Sequence, residues 1–259
     1  MWTVSAPLSL ATIECMPIES TEGIRLAKRV AALLSCSRSE AEQVIAGGWV
    51  QVNGVVVDDP ARRVRDERIE IHPQAQRGAI PLLTVVLHKT DSMTCWPTGR
   101  QIGPTSIWEA LSPALRSETD RSDLKVTPRQ CKNLLCLTPL EDAATGLVVL
   151  SEDPRILRRL EDRQAPLENE MSADVHGQIS PEVLARLNPQ GLRTSVNRHT
   201  EQATGLRLAL KGYVPGELGA LFAGLALDLR SLKRLRLGRV ALAPLQPGQW
   251  RVLLPYERF

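Results

Sequence analysis

Apolar residues recur at helical spacing from Ile24 onward, with Leu26, Val30, Leu33 and Leu34 on one face and Arg25, Lys28 and Arg29 on its flanks. Ser35, Ser37 and Ser39 offer capping oxygens before a second helix that runs to about Ala46, where Gly47-Gly48 stop it. The period then changes from helix to strand. Trp49-Val50-Gln51-Val52, a turn at Asn53-Gly54 and Val55-Val56-Val57 predict a tight hairpin, and Arg68-Ile69-Glu70-Ile71 a third strand. Pro73 to Pro81 has no period and reads as a linker. Beyond it, Leu82-Leu83-Thr84-Val85-Val86-Leu87-His88-Lys89 and Leu147-Val148-Val149-Leu150 have the unbroken apolar character of buried strands. Helical patterns return near Pro154 to Arg163, Pro181 to Leu187 and Glu217 to Leu225, so the second part is a mixed α+β domain.

Composition narrows this picture. With 259 residues, 43% hydrophobic and 24% charged, the chain can bury a sizeable core in one or two domains. A net charge of +3 decides nothing about partners, since a near-neutral sum can hide a basic face. The five cysteines lack a Cys-x-x-Cys pair and the four histidines are scattered, so neither a disulfide framework nor a metal site is expected. The first fifteen residues lack a basic start and contain Pro7, which argues against a signal peptide or membrane span; a cytoplasmic protein is the expectation. Met16 is an alternative start, with residues 1–23 expected as a disordered tail. No phosphate-binding loop, dinucleotide fingerprint or nucleophile elbow is present.

Three blocks, Arg25-Leu26-Ala27-Lys28-Arg29, Cys36 to Glu42 and Gly48 to Gly54, resemble in order and spacing the RNA-binding module named after the fourth small-subunit ribosomal protein. The resemblance implies that Arg25, Lys28, Arg29, Ser37 and Arg38 meet RNA phosphates and that Asn53 lies near the RNA. Such contacts give affinity and orientation more than sequence reading.

Three further blocks resemble the RsuA-like branch of bacterial ribosomal-RNA pseudouridine synthases: the strand ending His88-Lys89, the stretch Leu140 to Asp153, and Leu232 to Gly238 with Leu245 to Arg251. The resemblance implies an RNA-binding module over 24–72, a linker over 73–81, a pseudouridine-synthase-like domain with a largely antiparallel sheet over 82–254, and a tail over 255–259. It also implies a monomer, structured RNA (ribosomal RNA above all) as partner, no membrane and no cofactor. In that family a carboxylate acts at the sugar of a flipped uridine, a tyrosine packs on the base, and a basic side chain aims the carboxylate. Here the carboxylate position holds Glu141, with Asp142 beside it, and Pro139 stands two residues before Glu141, where the family has arginine. The family's Lys-x-Tyr block corresponds to Asn169-Glu170-Met171, making Met171 a pocket wall, and its arginine-rich helix to Gly216-Glu217-Leu218-Gly219-Ala220.

Two readings therefore compete. In one, the chain isomerises uridine with Glu141 or Asp142, and Lys89, Lys233 or Arg234 supplies the missing charge. In the other, it is a pseudoenzyme that binds ribosomal RNA without chemistry, as an assembly factor. The late cluster of Lys233, Arg234, Arg236 and Arg239 is expected as a second RNA-contacting face or as a solvated strand edge.

Overall fold

The computed structural model describes residues 23–78, 80–96, 105–124, 126–188 and 191–259. The expectations for a tail ahead of Gly23 and for a start at Met1 or Met16 lie outside the described residues. The chain divides into two compact units, Met1–Ile80 and Pro81–Phe259.

The first unit runs β1 (Ile24–Arg25), α1 (Leu26–Leu34), α2 (Arg38–Ala46), β2 (Val50–Val52), β3 (Val55–Val57), β4 (Arg63–Val64) and β5 (Ile69–Ile71). Helix α1 buries Leu26, Ala27 and Val30 against Ala41, Val44 and Ile45 of α2 and against Val50, Val52 and Val57 of the strands. Of the three serines expected to cap α2, Ser37 does so: its hydroxyl accepts from the Glu40 amide while the Glu40 carboxylate accepts from the Ser37 amide. Ser35 instead ends α1 in the left-handed region, at φ 49°. Asn53 and Gly54 have φ values of 51° and 79°, and Val52 pairs with Val55 across them. This is the two-residue turn that the Asn-Gly pair predicts, because both positions need positive φ.

The second unit is built on one sheet. Its elements are β6 (Thr84–Lys89), β7 (Met93–Thr94), β8 (Thr105–Ser106), α3 (Pro128–Asn133), β9 (Thr145–Ser151), α4 (Pro154–Glu161), β10 (Glu168–His176), α5 (Pro181–Arg186), β11 (Leu192–His199), β12 (Ala203–Lys211), α6 (Glu217–Gly224), β13 (Leu229–Leu237), β14 (Val240–Ala241) and β15 (Trp250–Val252). The strand order is β11-β12-β10-β13-β9-β6-β15, with β14 on β13. All these pairs are antiparallel except β9 with β13.

Two cores flank the central strands. Val85, Leu87, Val148 and Leu150 face one, Val86, Leu147 and Val149 the other. This explains why β6 and β9 read as continuous apolar runs: both of their faces are covered. Strand β10 alternates instead, sending Met171, Ala173 and Val175 inward and Glu168, Glu170, Ser172 and Asp174 outward. The last residues are packed against the unit: Phe259 lies on the second core, and Glu257 takes both ends of the Arg251 guanidinium at 2.6 and 2.7 Å.

Candidate active site and nucleic-acid interface

The parallel crossing of β9 and β13 organises the candidate site. Gly146 pairs with Arg234 and has a φ of 107°. A Cβ built on it would lie 2.2 Å from the Arg234 carbonyl oxygen and 2.6 Å from its amide nitrogen. Only glycine admits a backbone this close in that conformation. The glycine of the Thr145-Gly146-Leu147 block thus brings Arg234 under the loop that carries Glu141.

Two buried cations hold this loop. Lys89, at the end of β6 and fully buried, donates to the carbonyls of Thr90, Asp142 and Ala144 at 3.1, 2.9 and 2.7 Å. Arg234, also fully buried, donates to the Leu147 carbonyl at 2.7 Å, to Asn169 Oδ1 at 3.2 Å and to the Thr138 carbonyl. Lys89 therefore fixes the chain just after Glu141, and Arg234 holds it on both sides, at Thr138 and at Leu147. Burial pulls both side chains below their ordinary basicity. The negative charge of Cys95 and Glu141 opposes this at both cations, with that of Asp142 adding to it at Lys89. Among the described residues neither cation makes an ion pair with a carboxylate.

Glu141 is half-buried and accepts a hydrogen bond from the Tyr213 hydroxyl. The guanidinium carbon of Arg234 lies 5.8 Å from the centroid of the Tyr213 ring, within the range of a cation–π contact. Burial, then the hydrogen bond and charge of Glu141, push the phenol far above its ordinary range, so it serves here as a neutral donor. Carboxylate, phenol and cation thus stand together. Nearby, Thr138 Oγ1 is buried and has no hydrogen-bond partner among the described residues.

Sequence reasoning missed Tyr213. It sought the phenol at the start of β10, where Met171 is instead a fully buried core residue and does not line a pocket. The register pairs Met171 with Leu208, inside β12, whereas Tyr213 follows the end of that strand at Lys211, so the phenol comes from a different place than the one where it was sought. The signal was present: Lys211-Gly212-Tyr213 is itself a Lys-x-Tyr triplet, and the chain has two tyrosines. Asp142 is exposed, and what it gives the site is its carbonyl, through Lys89. Glu217 is exposed in the first turn of α6.

The late basic cluster divides. Arg234 cannot be an RNA contact while it is fully buried; the burial of β13 between β9 and β10 turns it into an interior cation. Arg236 is held by Glu168 and Glu170 at 2.8 and 2.7 Å, and Lys233 is half-buried. In the first unit Arg25 and Lys28 are exposed and Arg29 is half-buried. Arg38 is exposed and pairs with Glu42 at 2.9 Å. Asn53 accepts from the Arg68 amide at 2.9 Å, which fixes the hairpin tip. Among the described residues no group of three or more His, Cys, Asp or Glu could hold a metal ion, and no helix is long and apolar enough to cross a membrane.

Comparison with known proteins bears on these features. The family model of the S4 domain matches residues 24–68. The chain is 27% identical over 250 residues to the ribosomal small subunit pseudouridine synthase A of Pseudomonas aeruginosa, covering 89% of this chain and 96% of that protein. It is 26% identical over 228 residues to a chloroplastic protein of Arabidopsis thaliana named for a ribosomal large subunit pseudouridine synthase. That match covers 83% of this chain and spans about half, 54%, of the relative. A crystal structure of a pseudouridylate synthase superposes with a TM-score of 0.50 at 20% identity, covering 90% of this chain and 96% of that one, which supports the shared fold.

Proposed function

We propose, from the premise that this chain joins an S4 domain to a domain related to the RsuA-like pseudouridine synthases, that it binds structured ribosomal RNA and isomerises a uridine there to pseudouridine. The observation that carries this reading is the hydrogen bond from Tyr213 to Glu141 with Arg234 beneath the tyrosine ring. A carboxylate, a phenol and a cation are the groups the reaction requires. In this reading Glu141, Tyr213 from the segment after β12 and Arg234 from β13 supply them.

In this reading the exposed cations of α1 and α2 hold the RNA backbone, and the target uridine leaves its stack to meet Glu141. The Glu141 carboxylate acts at the sugar, the bond from C1′ to the base nitrogen breaks, and the base turns so that its C5 bonds to C1′. The C5 proton passes to the freed Glu141 carboxylate or to water, and the base nitrogen released from the sugar takes up a proton, which completes the product. Tyr213 orients the carboxylate. The chain acts as a monomer in the cytoplasm and needs no cofactor.

A non-catalytic RNA-binding role is the second reading, and one observation favours it. Lys89 and Arg234 spend their donors on backbone oxygens and asparagine, and Tyr213 already occupies Glu141. Pseudouridine mapping of ribosomal RNA decides between them, comparing cells with the wild-type gene, without it, and with Glu141→Gln. A uridine modified in the first and in neither of the others supports catalysis. A map identical in all three overturns it.

A further inference from the structure

Strand β10 sends Glu168, Glu170 and Asp174 away from the core, and nothing in the proposed reaction uses them. Residues directly opposed on paired strands share a face, so the register shows what stands beside this acidic row. Lys233 and Arg236 flank it from β13, Arg207 and Lys211 from β12, and Arg193 and Arg198 from β11, the outermost strand. Six cations therefore surround three carboxylates. Between them lie serines, Ala209 and Gly205, so no apolar side chain on this face is larger than alanine.

Small residues on β12 let the charged pairs close over that strand. Arg198 of β11 meets Asp174 of β10 at 2.7 Å across Gly205, where a Cβ would lie 3.0 Å from the Arg198 Cβ and 3.5 Å from Asp174 Oδ1. Arg193, whose opposite residue on β12 is the small Ala209, reaches Glu168 at 2.7 Å. Glu170 takes Arg207 from one side and Arg236 from the other, and Glu168 also takes Arg236 at 2.8 Å. The carboxylates fix these guanidinium groups without exhausting them. Arg193 and Arg198 each give one terminal nitrogen, and their other N–H groups face solvent. The side chains of Arg193, Arg198 and Arg207 are 78, 60 and 53% exposed, so the face is open.

We propose that this face of β11, β12, β10 and β13 is a second RNA-contacting surface, which holds backbone phosphates through its arginines. The inference rests on the reading of ribosomal RNA as the partner, and it holds whether or not Glu141 reacts. Phosphates call for fixed N–H donors and a surplus of positive charge, and both are present. Hydrogen bonds from Arg236, aided by Arg207 and Arg193, keep Glu168 and Glu170 below the ordinary carboxylate range, so the balance of charge on the face is constant through neutral pH. Guanidinium groups held in place before binding lose less freedom on meeting a phosphate. A stable protein partner would instead need an apolar or aromatic centre, which this face lacks. Contacts of this kind orient the RNA and add affinity without reading its sequence.

The test measures binding of the purified full-length chain to ribosomal RNA by filter retention at several salt concentrations. Ser195 is exposed on β11 between Arg193 and Arg198 and carries none of the ion pairs. Ser195→Lys should tighten binding and Ser195→Glu should weaken it. Arg193→Ala, Arg198→Ala and Arg207→Ala combined should reduce the slope of log affinity against log salt by about 2 or more, and lysine at the same three positions should restore it. Should the triple alanine variant fail to fold, the two Ser195 variants decide the question. Unchanged affinity and slope in every variant that folds overturns the surface and leaves the proposed activity standing. Loss of binding to poly-glutamate at unchanged RNA affinity overturns RNA as the occupant in favour of an acidic protein. Weakened RNA binding in these variants, in a chain whose wild type makes no pseudouridine, supports the surface and overturns the proposed activity.

Discussion

Gly146 and Arg234 are in backbone contact: a Cβ on the glycine would meet the Arg234 carbonyl oxygen at 2.2 Å. The Glu141 loop, the buried guanidinium and the Tyr213 ring are positioned by this approach. Gly146→Ala adds that Cβ at a φ of 107°, where alanine is itself strained. We expect a loss of about 3 kcal/mol or more in unfolding free energy by urea titration. Stability within about 0.5 kcal/mol of wild type would show that β9 and β13 separate without cost.

The role of Tyr213 separates into its ring and its hydroxyl. Tyr213→Phe keeps the face above Arg234 and removes the donor to Glu141. Pseudouridine formation should slow by about a hundredfold, as loss of a positioned polar group at a reacting centre commonly does. Thermal stability should change little. Glu141→Gln should abolish the reaction, and tritium release from C5-labelled RNA measures both variants.

Lys89 holds three carbonyls and no carboxylate, so its loss should be felt in the loop. Lys89→Met keeps most of the buried stem but leaves those oxygens without a charged donor. A destabilisation of about 2 to 4 kcal/mol is expected. Hydrogen exchange should rise across 138–145 before it rises elsewhere, and uniform exchange would argue that the lysine supports the unit as a whole.

His88 gives a pH dependence. Burial lowers its basicity below the ordinary imidazole value, and the charge of Lys233 adds to this against the bonds its ring makes near Leu245. The unfolded chain takes up a proton at this residue below about pH 6.5, while the folded chain resists. Unfolding then binds protons, so the contribution is present above that pH and is lost as pH falls through the folded value. His88→Gln should flatten the stability curve below about pH 6.5, as read by urea midpoints.

For the S4 domain the prediction concerns salt. Arg25→Ala and Lys28→Ala should each weaken RNA binding and reduce the slope of log affinity against log salt by about one contact's worth, near 0.7 to 0.9. Filter binding at several salt concentrations checks this. An unchanged slope would place the RNA elsewhere.

Much of this was legible in the chain alone wherever neighbours in sequence are neighbours in space. The capping box of Ser37 and Glu40, the Asn53-Gly54 turn and the helices after Pro154 and Pro181 depend on contacts a few residues long. The unbroken apolar runs of β6 and β9 announced strands covered on both faces. Tertiary structure alone decided the chemistry of the site. That Arg234 is an interior cation and not a surface contact follows from β13 lying between β9 and β10. That Tyr213 reaches Glu141, seventy-two positions earlier, depends on the whole strand order from β12 through β10 and β13 to β9. Local propensity is written residue by residue, whereas the partners of a buried charge are set by which strands pair, and strand pairing brings together residues that the sequence keeps far apart.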